Sequence, residues 1–274
     1  MKIYAVSFSP TGTSSRVLEG ILSGLEGVSP DPFVRIDVTH RPAGMKCLGE
    51  EDVLIVAVPV YGGKAAPLAK ERMACIEGSG TRCVVVAVYG NRAFENAVAD
   101  MSSFLGERGF LTVGAAAFVG EHSYSTLSAP IAAGRPDEAD VADARRFGEL
   151  LKLKIDGGGL RKIEAASLSD IESPETSLVR FREFVASYQR RQTESPVKYL
   201  PEVDSSVCDG CGVCVLVCPT AAISADDLAV AAEKCIKCCA CVKCCPRGAR
   251  RLDSPFAKPL HENFSLRKDP VWIV

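Results

Sequence analysis

Ten of the 13 cysteines in this 274-residue chain fall between Cys208 and Cys245. They form two runs, CDGCGVCVLVCP at 208–219 and CIKCCACVKCCP at 235–246, each with the spacing C-x2-C-x2-C-x3-C-P. Thiolates bind soft metals, and three of them two residues apart wrap a short loop around one metal body, with a fourth set further on. So tight a loop is helped by small residues, here Gly210, Gly212 and Ala240. Pro219 and Pro246 end the runs, since proline lacks an N–H and fixes its own φ. A pair of structural zinc sites is the competing reading, but zinc motifs generally present two separated cysteine pairs rather than four cysteines in one continuous run. Disulfides are disfavoured, because no secretory h-region is read at the N-terminus and cytosolic thiols stay reduced.

The doubled run resembles the two-cluster bacterial ferredoxins. That resemblance implies two [4Fe-4S] clusters, one held by Cys208, Cys211, Cys214 and Cys245 and the other by Cys235, Cys238, Cys241 and Cys218. Cys239 and Cys244 are then surplus. Cys244 competes with Cys245 for the fourth position, and Cys245 is preferred because three residues separate it from Cys241 and proline follows, as with Cys218 and Pro219. The surplus pair is expected to be buried as small apolar residues.

Hydrophobic residues make up 47% of the chain and the formal net charge is −2. This describes a soluble globular protein and argues against a nucleic-acid binder. No apolar run approaches the roughly 20 residues of a membrane span. The length predicts one full domain and a smaller one, in a reducing, oxygen-poor cytoplasm.

Residues 3–8 read as a strand, Ser9-Pro10-Thr11-Gly12-Thr13-Ser14 as a loop, and Val17, Leu18, Ile21, Leu22 and Leu25 as one face of a helix. A loop of hydroxyls and glycine leading straight into a helix directs N–H groups, OH donors and the helix dipole at one phosphate. It carries neither the lysine motif of nucleoside triphosphate loops nor the G-x-G-x-x-G of dinucleotide folds. The plainer reading is that Thr11 and Thr13 cap the helix. Further strands are expected at 33–38, 53–60, 83–88 and 111–119, with helices starting near Pro67, around Phe94 and near Pro136. Five strands alternating with helices predict an α/β, doubly wound parallel sheet, which takes its ligand outside the carboxyl ends of the strands.

Ser9, Thr11, Gly12, Thr13 and Ser14 match the hydroxyl-rich first loop, [ST]-x-T-G-x-[TS], of the flavodoxin family, which the chain resembles here. The resemblance implies a flavodoxin-like sheet with FMN phosphate in that loop. Pro59, Val60, Tyr61 and Gly62, with Tyr89, Gly90 and Asn91, then take the places beside the flavin ring. His122 is expected to face the flavin or a substrate over it, with a solvent-facing loop histidine as the alternative.

Across 1–155 and 199–253 the chain resembles the bacterial flavodoxin–ferredoxin fusion proteins described as EFR-type ferredoxins. The expected organisation is an FMN-binding domain at 1–155, a linker with a bridging helix at 156–198, a small α+β two-cluster ferredoxin-like domain at 199–253, and a tail at 254–274 that folds back over the first domain. The expected function is that of an iron–sulfur flavoprotein moving low-potential electrons between two [4Fe-4S] clusters and FMN. It would act as a carrier or flavin-dependent reductase, serving a redox partner protein or a small-molecule acceptor. No side chain stands out as nucleophile or general base. The alternative is an electron-relay or assembly subunit whose flavodoxin-like domain is an empty docking platform. Between 234 and 251 lie Lys234, Lys237, Lys243, Arg247, Arg250 and Arg251 and no acidic residue, and cations near anionic clusters are expected to raise their potential.

Overall fold

The structure is a computed structural model that describes residues 1–274. In chain order its elements begin with β1 (Ile3–Ser7), α1 (Thr13–Gly24), β2 (Val34–Asp37), β3 (Lys46–Leu48), β4 (Val53–Tyr61), β5 (Lys64–Ala65) and α2 (Pro67–Met73). They continue with β6 (Ile76–Gly78), β7 (Thr81–Tyr89), α3 (Ala97–Gly106), β8 (Phe110–Val119), α4 (Glu138–Asp156) and α5 (Glu175–Glu194). The last are β9 (Glu202–Val203), α6 (Val213–Leu216), α7 (Ala240–Lys243), β10 (Arg250–Arg251), α8 (Ala257–Asn263) and β11 (Val271–Ile273). Two compact units result. The first is Met1–Glu121, Gly134–Ile171 and Lys268–Val274; the second is His122–Ala133 and Glu172–Arg267.

In the first unit β2, β1, β4, β7 and β8 lie side by side and run parallel. This order is that of the flavodoxin-like doubly wound sheet, with its switch point between the first strand and the third of the five. Val53–Val58 of β4 and Cys83–Tyr89 of β7 are continuously buried. Such runs suit central parallel strands covered on both faces. One face is sealed by α1 and α4, whose Val17, Leu18, Ile21, Ala144, Phe147 and Leu151 join Ile3, Val53, Val84 and Phe118 in one core. Asp137 caps α4 by accepting from the Asp140 N–H, and Asp140 returns the bond, so the helix starts at Glu138 rather than at Pro136.

The sheet has two strands that the five-strand expectation lacked. Gly62 and Gly63 have φ of 59° and 78°, which makes a two-residue hairpin and folds β5 back onto β4. β11 pairs antiparallel with β8, Trp272 opposite Ala116, and covers an edge that a central-type strand would otherwise leave open. Trp272 stacks on Phe118 with ring centroids 6.3 Å apart. Of the stretch read as a tail, only Lys268–Val274 joins this unit, while residues 254–267, with α8, belong to the second.

The stretch read as a linker is ordered at its start by hydrogen bonds to the first unit. Ile163 N–H donates to Thr112 O at 2.9 Å. The Asp170 carboxylate accepts from the N–H groups of Phe94 and Glu95 at 2.7 and 2.8 Å. Its second half, α5, belongs to the second unit, where Phe181 meets Phe264 edge-on at 5.2 Å and Phe184 meets Phe256 at 5.2 Å. The rest of that unit is short: β9 pairs antiparallel with β10, and α6 and α7 are single turns. Cys214, Ile223 and Cys241 form its small core.

Candidate cofactor sites

The two cysteine runs adopt the same backbone. Gly210, Gly212 and Ala221 in the first have positive φ, of 73°, 72° and 48°; Lys237, Cys239 and Gly248 at the equivalent places in the second have 55°, 60° and 63°. A left-handed residue starts each one-turn helix, Gly212 for α6 and Cys239 for α7. This conformation turns the chain sharply enough to aim three sulfurs at one volume, and glycine adopts it with least strain.

Two small cavities follow, both partly open to solvent. Cys208, Cys211, Cys214 and Cys245 line one. Cys218, Cys235, Cys238 and Cys241 line the other. The fourth cysteine of each run therefore stands with the first three of the other. Four thiols ringing a volume suit a body with several irons, and the donor set fits a cubane cluster.

Backbone N–H groups meet the crossing cysteines. Ala222 N–H donates to Cys218 Sγ at 3.2 Å. Burial opposes ionisation of Cys245, but the N–H groups of Arg250, Arg247, Ala249 and Gly248 outweigh it and hold that thiol below its usual range. Deeper in the unit the balance reverses: burial pushes Cys238 up to about 11 and Cys241 up to about 12. Iron binding there must displace protons.

The surplus cysteines differ from each other. Cys239 is 2% exposed and lines the second cavity, in keeping with a small buried residue. Cys244 is exposed and lines neither cavity, which corrects the expectation of burial. As the C-cap of the single-turn α7, it points outward while its neighbour turns in.

In the first unit the loop after β1 leads into α1 through Gly12, which has φ 83° and makes no side-chain cap bond. Thr11 and Thr13 therefore do not cap the helix. Ser9 shapes the loop: its hydroxyl accepts from Ser15 N–H at 3.0 Å, and its own N–H donates to Thr39 Oγ1 at 2.9 Å. No backbone carbonyl takes the N–H of Thr13 or Ser14. The Ser14 hydroxyl is fully buried with no partner. Free N–H groups at a helix N-terminus and an orphaned hydroxyl fit an anion such as a phosphate. A Cβ on Gly120, just past β8, would lie 3.2 Å from Thr13 Cβ, so that strand end abuts the loop.

Val60 and Tyr61 belong to β4 and its hairpin rather than to a free loop, with Pro59, Val60 and Tyr61 half-buried and Gly62 exposed. Tyr89 is 3% exposed and packs edge-on against Phe94 at 5.6 Å, so its ring lies in the core. Burial pushes its phenol pKa up. Gly90 remains at the strand end, and Asn91 is buried with φ 66°, a conformation asparagine tolerates. Ser9–Ser14, Pro59–Gly62 and Gly90–Asn91 thus sit at the carboxyl ends of the adjacent strands β1, β4 and β7. His122 falls in the segment that packs with the second unit; its Nδ1 accepts from Tyr124 N–H at 3.0 Å, which places the proton of the neutral ring on Nε2.

A family model described as a 4Fe-4S binding domain, Fer4, matches residues 201–224. No curated protein matches the chain. Among solved structures, a flavodoxin from the domain Archaea is 14% identical, covers 57% of this chain and 99% of its own, and superposes with a TM-score of 0.39. The flavodoxin of Streptococcus pneumoniae TIGR4 is 20% identical over 56% of this chain and 99% of its own, with a TM-score of 0.41. An NADH:FMN oxidoreductase in its apo form is 16% identical over 60% and 95%, also with a TM-score of 0.41. The fold itself is read from the strand order above. No helix is long and apolar enough to cross a membrane.

Proposed function

We propose that this chain is an iron–sulfur flavoprotein that moves low-potential electrons, as a carrier or a flavin-dependent reductase, using two [4Fe-4S] clusters and FMN. The observation that carries the reading is the crossing of the cysteines: Cys245 lines a cavity with Cys208, Cys211 and Cys214, and Cys218 lines one with Cys235, Cys238 and Cys241. Such clusters pass one electron at a time and a flavin holds one or two, so the redox chemistry is the cofactors' own. The side chains have other work. The eight thiols fix the clusters, the N–H groups around Cys245 favour its thiolate, and the loop from Ser9 to Ser14 binds the FMN phosphate. Tyr61 and Gly62 flank the ring. A redox partner protein or a small acceptor in a reducing cytoplasm completes the path.

The burial of Tyr89 favours a second reading, in which the flavodoxin-like unit is a docking platform without flavin, since that ring lies in the core. Protein purified without air decides between them. The first reading expects about eight irons per chain, FMN in the acid supernatant, and flavin bleaching as the clusters are reduced. Iron without flavin supports the second. Far fewer irons, or zinc on these thiols, overturns both.

A further inference from the structure

The two halves of the cysteine unit share a backbone, and one pair of equivalent buried residues differs in charge. After the crossing cysteines the sequence reads CPTAAI at 218–223 and CPRGAR at 245–250. Ala221 and Gly248 share a positive φ, and Ala222 and Ala249 are each 2% exposed. The next pair differs in kind: Ile223 is 5% exposed in the core with Cys214 and Cys241, while Arg250 is a cation only 3% exposed.

The arginine has no counter-charge within the protein. Its Nη2 donates to the carbonyl of Leu228, while Nε and Nη1 are buried with no partner. Its neighbours Arg247 and Arg251 are paired, with Asp209 and with Glu202 and Asp253, and those pairs are exposed. A buried cation left unpaired is costly, so the fold keeps it only where an anion is supplied. Arg250 lines the cavity of Cys208, Cys211, Cys214 and Cys245.

We propose that Arg250 is the internal counter-cation of the cluster pair and makes the pair electrically unequal, raising most the potential of the cluster in the cavity it lines. The inference rests on the two-cluster reading. A cluster held by four thiolates is anionic and becomes more so when one electron is added, so a fixed cation in a low-dielectric wall favours the reduced form. Ile223 supplies nothing of the kind on the other side. No bond or proton need change, since the electron arrives from an external reductant and stays on the iron.

The test is an EPR-monitored anaerobic titration of the full chain with dithionite, with iron counted on each sample. Wild type should show two separated one-electron waves. With Arg250→Gln, one wave should fall by at least tenfold in its reduction equilibrium, about 59 mV for one electron, the other by less, and Arg250→Lys should stay near wild type. Should Arg250→Gln fail to hold iron, Arg250→Ile, the residue of the mirrored position, is titrated in its place. Coincident waves in wild type, equal or absent shifts in an iron-replete variant, or a lysine variant that shifts as far as the glutamine one overturns the proposal. Loss of the two-cluster reading has a different signature, an iron count far below about eight in wild type.

Discussion

Gly24 of α1 and Gly148 of α4 meet backbone to backbone. A Cβ on Gly24 would lie 2.1 Å from the Arg145 carbonyl oxygen, and one on Gly148 would lie 2.1 Å from that of Ile21. The helix that opens with Thr13 and Ser14 is thereby fixed against the helix that seals the sheet. Gly148→Ala should cost about 2–3 kcal/mol, because a carbonyl cannot swing aside as a side chain can. Gly106→Ala at the end of α3, with nothing within 4 Å of the new methyl, should be neutral or stabilise by up to about 1 kcal/mol. Urea denaturation of both variants checks the contrast, and equal midpoints would contradict it.

Adjacent thiols should give opposite results. Cys245→Ser removes a wall of the first cavity and should lose about half of the bound iron, one of two clusters. Cys244→Ser, at an exposed position outside both cavities, should leave the iron count intact. Iron and acid-labile sulfide assays on anaerobically reconstituted protein read the difference. Loss at Cys244 instead would reassign the fourth ligand.

Arg135 and Asp140 form a buried pair, 6% and 1% exposed, with Arg135 Nη1 also donating to the Lys268 carbonyl at 2.9 Å. Asp140→Asn leaves the guanidinium without its counter-charge and should destabilise the first unit by about 3–5 kcal/mol. Changing both, Arg135→Met with Asp140→Leu, should cost clearly less than the sum of the single changes. A double-mutant cycle by thermal denaturation measures the coupling; additive costs would show that the pair does not act as a unit.

Spacing made the eight ligand candidates legible in the sequence, and the resemblance of the doubled run to two-cluster ferredoxins implied their crossing. Long strands such as β4 and β7 were equally plain, being apolar over Val53–Val60 and Cys83–Val88. What escaped had weak local signals. Tyr89 sits next to a glycine at a strand end and reads as a ligand contact, yet Phe94, five residues on, turns it inward. Cys244 and Cys245 differ in exposure through the end of one helical turn, which adjacent identical letters cannot show. Arg250 reads as one of six cations on a basic stretch. Only the register of CPTAAI on CPRGAR places it opposite a core isoleucine, and that comparison was available from the outset.

Ser14 offers a test in which stability and binding move apart. Its hydroxyl is buried without a partner, and an unsatisfied buried donor costs about 1–3 kcal/mol. Ser14→Ala should therefore leave the flavin-free protein at least as stable as wild type. Should that hydroxyl serve the phosphate as the loop's geometry suggests, the same change weakens FMN by about tenfold, one lost hydrogen bond to a charged group. Thermal denaturation of the apoprotein and fluorescence titration with FMN read the two effects separately. A core serine with no ligand would show the first and not the second, and a variant that lost both would mark Ser14 as a packing residue.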